Sequence, residues 1–225
     1  MKKLLAAIVI LAVVATGVWH FRPQWIPASI QEWISAMLVK EAEVADGETS
    51  GLFPDVPAGT LLAKAVEKLR ELKVIQGFPD GKFYPNLPVE RAQVAKMLLK
   101  LRGNAAQGLR NHGRFSDVLE GSWYESHLIE LIQRGIARAS GGLLLPMQNV
   151  QKDQLVTMML RAFNLELGLP HRYQDISSRN WAYEIVGVVD KYDLFPDSSK
   201  SKFEQAKQLS RGEVAIALYQ YLRNK

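Results

Sequence analysis

The sequence predicts a mainly α fold: three helix–loop–helix repeats packed with pseudo-three-fold symmetry, preceded by an N-terminal membrane segment. Three observations predict it. A tetrapeptide of the form aromatic-x-Asp-β-branched occurs three times, apolar residues at helical spacing follow each copy, and an uncharged run opens the chain behind a basic start. The copies are Phe53-Pro54-Asp55-Val56, Phe115-Ser116-Asp117-Val118 and Tyr173-Gln174-Asp175-Ile176, starting 62 and 58 residues apart. Self-similarity at such a period is the mark of a repeat architecture.

The agreement runs the length of each copy. Eight residues after the aromatic stand Leu61, Trp123 and Trp181; sixteen after it, Leu69, Leu131 and Val189; twenty-one after it, Val74, Ile136 and Leu194. Phe83 and Phe203 follow at thirty and Leu144 at twenty-nine. A cation closes each pattern: Arg91, Lys152 and Arg211, at 38, 37 and 38. In the first copy Leu61, Leu62, Ala65, Val66, Leu69 and Leu72 form one helical face. The loop Gly77-Phe78-Pro79-Asp80-Gly81-Lys82-Phe83-Tyr84-Pro85 follows, with an Asp-Gly turn signal and a helix-stopping proline. A second helix is expected from about Pro88 through Ala92, Ala95, Leu98 and Leu99 to Leu101. In the third copy Ser210 and Glu213 have capping-box spacing. No single unit can bury its apolar face, so the three must pack together. The expected boundaries are 52–102, 114–164 and 172–225 within a domain of residues 52–225.

The chain before this body has another character. Lys2 and Lys3 precede Leu4–Trp19, 16 residues without a charge. Residues 1–23 read as a signal peptide or a membrane anchor. Cleavage after Ala15 fits the first, and Trp19, Phe21 and Trp25 at a membrane interface fit the second. Either sends the remainder out of the cytoplasm, to the cell envelope. Residues 24–51 hold an amphipathic segment, with Trp25, Ile26, Ile30, Trp33, Ile34, Met37 and Leu38 along one stripe, and then an acidic linker. The stripe suits a helix lying on a membrane or one packed on the domain.

Composition excludes several functions. The net charge of +5 includes +3 from residues 1–23, so the body is barely basic and no nucleic-acid partner is expected. With no cysteine there is no disulfide, thiolate metal site or cysteine nucleophile. His20, His112, His127 and His171 are scattered, with no metal-binding pair, and neither a P-loop nor a G-x-S-x-G motif is present. No catalytic residue, metal or cofactor is expected, and a glycoside hydrolase is the least favoured reading.

Phe53–Val56, then LKVIQGFPDGKFYPN, then VERAQVAKML resemble the S-layer homology family in its aromatic-x-Asp-Val opening, its Gly-x-x-Asp-Gly-x-Phe-x-Pro loop and its Thr-Arg-Ala-Glu helix start. The first copy carries the motif closely; the other two follow it by spacing. The resemblance implies a three-pronged domain with binding grooves between adjacent repeats. It also implies attachment to cell-wall polysaccharide, often a pyruvylated secondary polymer joined to peptidoglycan.

A pyruvyl ketal places a carboxylate on a sugar. Arg91 and Arg211 can offer it a bidentate fork and Lys152 a point charge, each helped by the free N–H groups of a helix start. The alternative is that each cation is a solvated first-turn residue or pairs with an acid. Trp123 and Trp181 suit either stacking on a sugar face or a place in the core. Asp55, Asp117 and Asp175 suit either sugar hydroxyls or the cap of the helix that follows. Gly77 and Gly81 read as turn residues, and the resemblance adds close approach of ligand. In place of Asp80-Gly81 the second copy has Gly141-Gly142 and the third Asp197-Ser198-Ser199-Lys200, so fewer than three grooves are expected to be active. The basic stretch Arg102–Arg114 reads as a solvated linker. The leading function is a non-catalytic envelope module that binds wall polysaccharide while tethered to the membrane. The alternative is an envelope adaptor that binds a protein and has lost its glycan.

Overall fold

The computed structural model describes residues 51–103, 108–197 and 201–225; the uncharged run and the amphipathic stretch lie outside the described residues. Six helices are described: α1 Leu61–Glu71, α2 Arg91–Leu101, α3 Glu125–Gln133, α4 Lys152–Phe163, α5 Tyr183–Lys191 and α6 Arg211–Asn224. Among the described residues no helix is long and apolar enough to cross a membrane.

The helix pairs do not form within one segment. α2 packs on α3, α4 packs on α5, and α6 returns to pack on α1. The second helix of each segment therefore covers the first helix of the next, and the last segment covers the first. Val66, Leu69, Val94, Leu98, Leu99, Leu128, Leu131, Leu155, Met159, Val186, Val214 and Leu218 are buried in the single core that results.

Local chemistry sets each helix. Thr60 starts α1, its Oγ1 accepting the Ala63 N–H at 3.1 Å. The Glu90, Gln151 and Ser210 N–H groups donate to the side chains of Gln93, Gln154 and Glu213, three residues into α2, α4 and α6, at 3.4, 3.2 and 2.8 Å. The first helices end alike. Lys73, Gly135 and Asp193 are left-handed at φ 57°, 67° and 48°. Val74, Ile136 and Leu194 then return their N–H groups to the carbonyls of Leu69, Leu131 and Val189 at 2.8, 2.9 and 3.0 Å.

α2 starts three residues later than the expected Pro88, because residues 88–90 are extended and serve the centre of the molecule. There the Val89 N–H donates to the Leu209 carbonyl (3.1 Å), the Leu209 N–H to the Val150 carbonyl (2.9 Å) and the Val150 N–H to the Val89 carbonyl (3.0 Å). These bonds form a closed triangle, and its three side chains are fully buried.

The three aspartates of the opening motif do not cap the next helix. Asp55 accepts the N–H groups of Phe83 and Tyr84 (2.9 and 2.6 Å), Asp117 those of Leu144 and Leu145 (3.1 and 2.6 Å), and Asp175 those of Phe203 and Glu204 (2.7 and 2.8 Å). Each clamp holds a non-glycine residue in the left-handed region: Tyr84 at φ 58°, Leu145 at 54° and Glu204 at 55°. That conformation is disfavoured for such residues, and two charge-assisted bonds offset the cost. Residues 108–114 of the basic stretch are more than a solvated linker, because Asn111 is buried. Its side chain bonds the backbone of Phe115 and Val118, and its N–H donates to Glu125 at 2.7 Å.

Removing one clamp tests its weight. Asp117→Ala should destabilise the protein by about 1.5–3 kcal/mol, read from a denaturant midpoint. At Asp175 burial opposes the charge, but the Phe203 and Glu204 N–H groups outweigh it and hold the carboxyl below its ordinary value. Its contribution is therefore complete above the unfolded carboxylate range and lost as pH falls through the folded value. Asp175→Asn should flatten the acid side of the stability profile.

Candidate functional site: three clefts between neighbouring segments

The cyclic packing leaves clefts beside the loops of the first and third segments. The first, of about 190 Å3, lies between residues 74–78 and the α2 face carrying Gln93, Lys96, Met97 and Lys100, with Trp123 and Arg211 completing the walls. Spacings of three and four put the four α2 residues on one side of the helix. Trp123 precedes α3, is 50% exposed, and has the Lys96 Nζ 5.4 Å from its ring centroid. The Lys100 Nζ donates to the Lys73 carbonyl at 2.9 Å. Burial first, then Lys96, lowers the Lys100 pKa. On α3, His127 is also lowered, first by burial and then by Lys96 and Lys100, against the raising effect of its bond to the Trp123 carbonyl. Among the described residues no carboxylate lines this cleft.

Arg211 arrives from α6. It is buried, with its Nε donating to the Phe83 carbonyl at 3.0 Å and Nη2 to the Gln76 carbonyl. Its guanidinium lies 4.7 Å from the Phe83 ring centroid and 5.2 Å from that of Phe78. Gly77 is required because a Cβ there would come within 2.2 Å of the Phe53 ring, and Gly81 turns the loop at φ 81°.

Arg91 repeats this reach into the next segment, its Nη2 donating to the Arg138 carbonyl at 2.9 Å. Its Nε is buried without a hydrogen-bond partner. Nearby, burial and then Arg138 lower the Arg161 pKa. Trp181 precedes α5 as Trp123 precedes α3, and is 60% exposed. Both tryptophans are therefore outside the core. Leu61, at the matching place in the first segment, is half-buried.

Lys152 reaches into the third segment and is only 1% exposed. Its Nζ has no hydrogen-bond partner and sits over Phe195 (4.6 Å) and Phe203 (5.4 Å). Burial lowers its pKa, with Glu204 the foremost opposing charge. The third cleft is lined by Asp197, Lys207, Glu213 and Ile216 beside Phe195 and Pro196, and the Lys207–Glu213 ion pair (2.7 Å) crosses it. Where α2 presents Gln93 and Lys96, α6 presents Glu213 and Ile216.

The helix starts expected to supply N–H groups to an anion are already occupied. The Arg91 and Ala92 N–H groups donate to Gln148 and Pro146, those of Lys152 and Asp153 to Lys207 and Gln205, and those of Arg211 and Gly212 to Leu87 and Pro85. Arg91 faces the loop of the second segment, and Arg211 serves the Asp80-Gly81 loop. Sequence reasoning missed Lys96, Lys100, Gln93 and Phe78. Two lysines four residues apart on one helix face repel, and that was the available signal. Among the described residues no cluster of three or more His, Asp or Glu is placed to hold a metal.

Residues 52–95 match the model of the S-layer homology domain. The chain is 24% identical over 68% of its length to an exoglucanase of Acetivibrio thermocellus and 23% identical over 72% to an S-layer protein of Bacillus thuringiensis subsp. finitimus. It is 27% identical over 69% of its length to a cellulosome-anchoring protein of Acetivibrio thermocellus. It spans 15%, 20% and 37% of those proteins' lengths, respectively. Over residues 52–95 the chain is therefore similar to the S-layer homology domain.

The buried lysine gives a direct test. Lys152→Met keeps the volume and removes a desolvated charge, so it should stabilise by about 1 kcal/mol at neutral pH. A lysine depressed in the folded state binds fewer protons there than when unfolded. Parent stability should therefore rise as pH climbs through the folded value towards the ordinary lysine range, and the variant should lack that rise. Melting curves across pH 7–10 read both effects.

Proposed function

We propose that the chain is a non-catalytic envelope-anchoring module whose three segments are tandem repeats related by pseudo-three-fold symmetry. Its first cleft holds an acidic cell-wall glycan. The observation that carries this is the lining of that cleft: Lys96, Lys100 and Arg211 beside the open face of Trp123, with no carboxylate among them. A sugar ring lays its C–H face on the indole while a carboxylate substituent meets the cations. A pyruvylated secondary polymer has this chemistry. The S-layer and cellulosome-anchoring relatives support an anchoring role at the cell surface.

Arg91 and Trp181, which match Arg211 and Trp123 one segment on, make a weaker site for the same ligand. The third cleft is closed to anions by Asp197 and Glu213, and Lys152 serves the fold there. Asp55, Asp117 and Asp175 act by holding the loops, and Gly77 and Gly81 by shaping the loop of the first cleft. The Leu4–Trp19 run supports export and a membrane tether, which would make the chain a link between membrane and wall.

Pelleting of the protein with wall sacculi, before and after the secondary polymer is stripped, tests the reading. Trp123→Ala and Lys96→Gln should each weaken binding about tenfold or more, the size of one charge-assisted contact. Circular dichroism must show each variant folded. Equal binding by folded variants and parent would remove the first cleft from the function. No pelleting by the folded parent would move the reading to an envelope protein partner.

A further inference from the structure

We propose that the glycan site extends past Phe78 into a second anion-binding subsite built from Arg70 and Lys73, so that the protein grips more than one sugar of a polymer chain. This rests on the reading of the first cleft as the glycan site. A second cavity, of about 580 Å3, lies on the other side of the same loop. Arg70, Lys73, Phe53 and Leu52 bound it, together with residues 75–78, which also bound the first cleft. Only the loop divides the two, and the part-exposed ring of Phe78 stands on the divide. A chain crossing that ring reaches both cavities.

The charge of the second cavity matches the first. The Arg70 guanidinium lies over the Phe53 ring at 5.3 Å, which holds it in place. Among the described residues neither Arg70 nor Lys73 forms an ion pair. Glu71 is engaged with Lys68 at 2.9 Å, Asp55 with the Phe83 and Tyr84 N–H groups, and Asp80 with the Lys82 N–H and the Tyr84 hydroxyl, while Glu67, three residues before Arg70, is exposed and makes no ion pair with it. The carbonyl end of α1 favours a cation such as Arg70, but Lys73 lies beyond the helix at φ 57°, where lysine is strained.

The matching positions in the other segments sharpen the point. Ile132 and Asp190 stand in the place of Arg70, and Gly135 and Asp193 in that of Lys73. The cation pair therefore occurs only in the segment whose cleft also carries Lys96 and Lys100. A basic subsite beside a basic cleft, joined by an aromatic ring, fits a glycan with an acidic group on successive units.

The test uses the full chain in detergent and, as probe, secondary polymer released from sacculi by mild acid and separated by length. The parent should bind longer fragments tenfold or more tightly than the shortest fragment that binds. The double variant Arg70→Gln, Lys73→Asn keeps a residue that tolerates the left-handed conformation. It should bind the shortest fragment as the parent does and lose the gain with length. Retention of that gain by the folded double variant would overturn the subsite, as would an equal loss on the shortest fragment. Absence of any fragment binding by the parent, or binding unaffected by Trp123→Ala, would instead sink the reading of the first cleft, and the subsite with it.

Discussion

The fold depends on a triangle of three backbone hydrogen bonds among Val89, Val150 and Leu209. Each of these residues lies two positions before a helix, so closing the triangle brings the starts of α2, α4 and α6 to one centre. The next two N–H groups of each helix then take carbonyls from a neighbouring segment's loop. Helix starts normally leave such donors to side chains or water. Here they tie one segment to another, and a segment removed would leave them orphaned in its neighbour.

The clefts follow from this closure. The first cleft has its loop and second helix from one segment, its indole from the next, and its arginine from the one before. The clefts therefore differ in composition. The first carries two lysines and a tryptophan. The third carries Ile216 and a Lys207–Glu213 pair, and Lys152 lies over Phe195 and Phe203 without a hydrogen-bond partner for its Nζ. The stability of the shared core is thus separable from the chemistry of any one cleft.

Much of this was legible in the sequence, for reasons that can be named. The helical stripe from Leu61 to Leu69, the cap at Ser210 and Glu213, and the three cations in register are local or periodic signals. The Asp clamps were not legible, because Asp55 and its partners Phe83 and Tyr84 are 28 and 29 residues apart and a cap lay closer to hand. Nor could spacing show that Arg211 belongs with the Phe78 loop, since that follows from which segment packs on which. Trp123 and Trp181 stayed ambiguous because indole suits both core and surface, and only their exposure separates the two. Lys96 and Lys100 were not legible as a site because the apolar face of α2 dominates its pattern.

Native-state hydrogen exchange at the Val89, Val150 and Leu209 amides tests the closure most directly. If the triangle joins three segments into one cooperative unit, all three amides exchange only through global unfolding, with one shared free energy equal to that from denaturant melts. If any one of them exchanges through a local opening of its own, at a lower free energy than the others, the segments are not held together at this centre and the account fails.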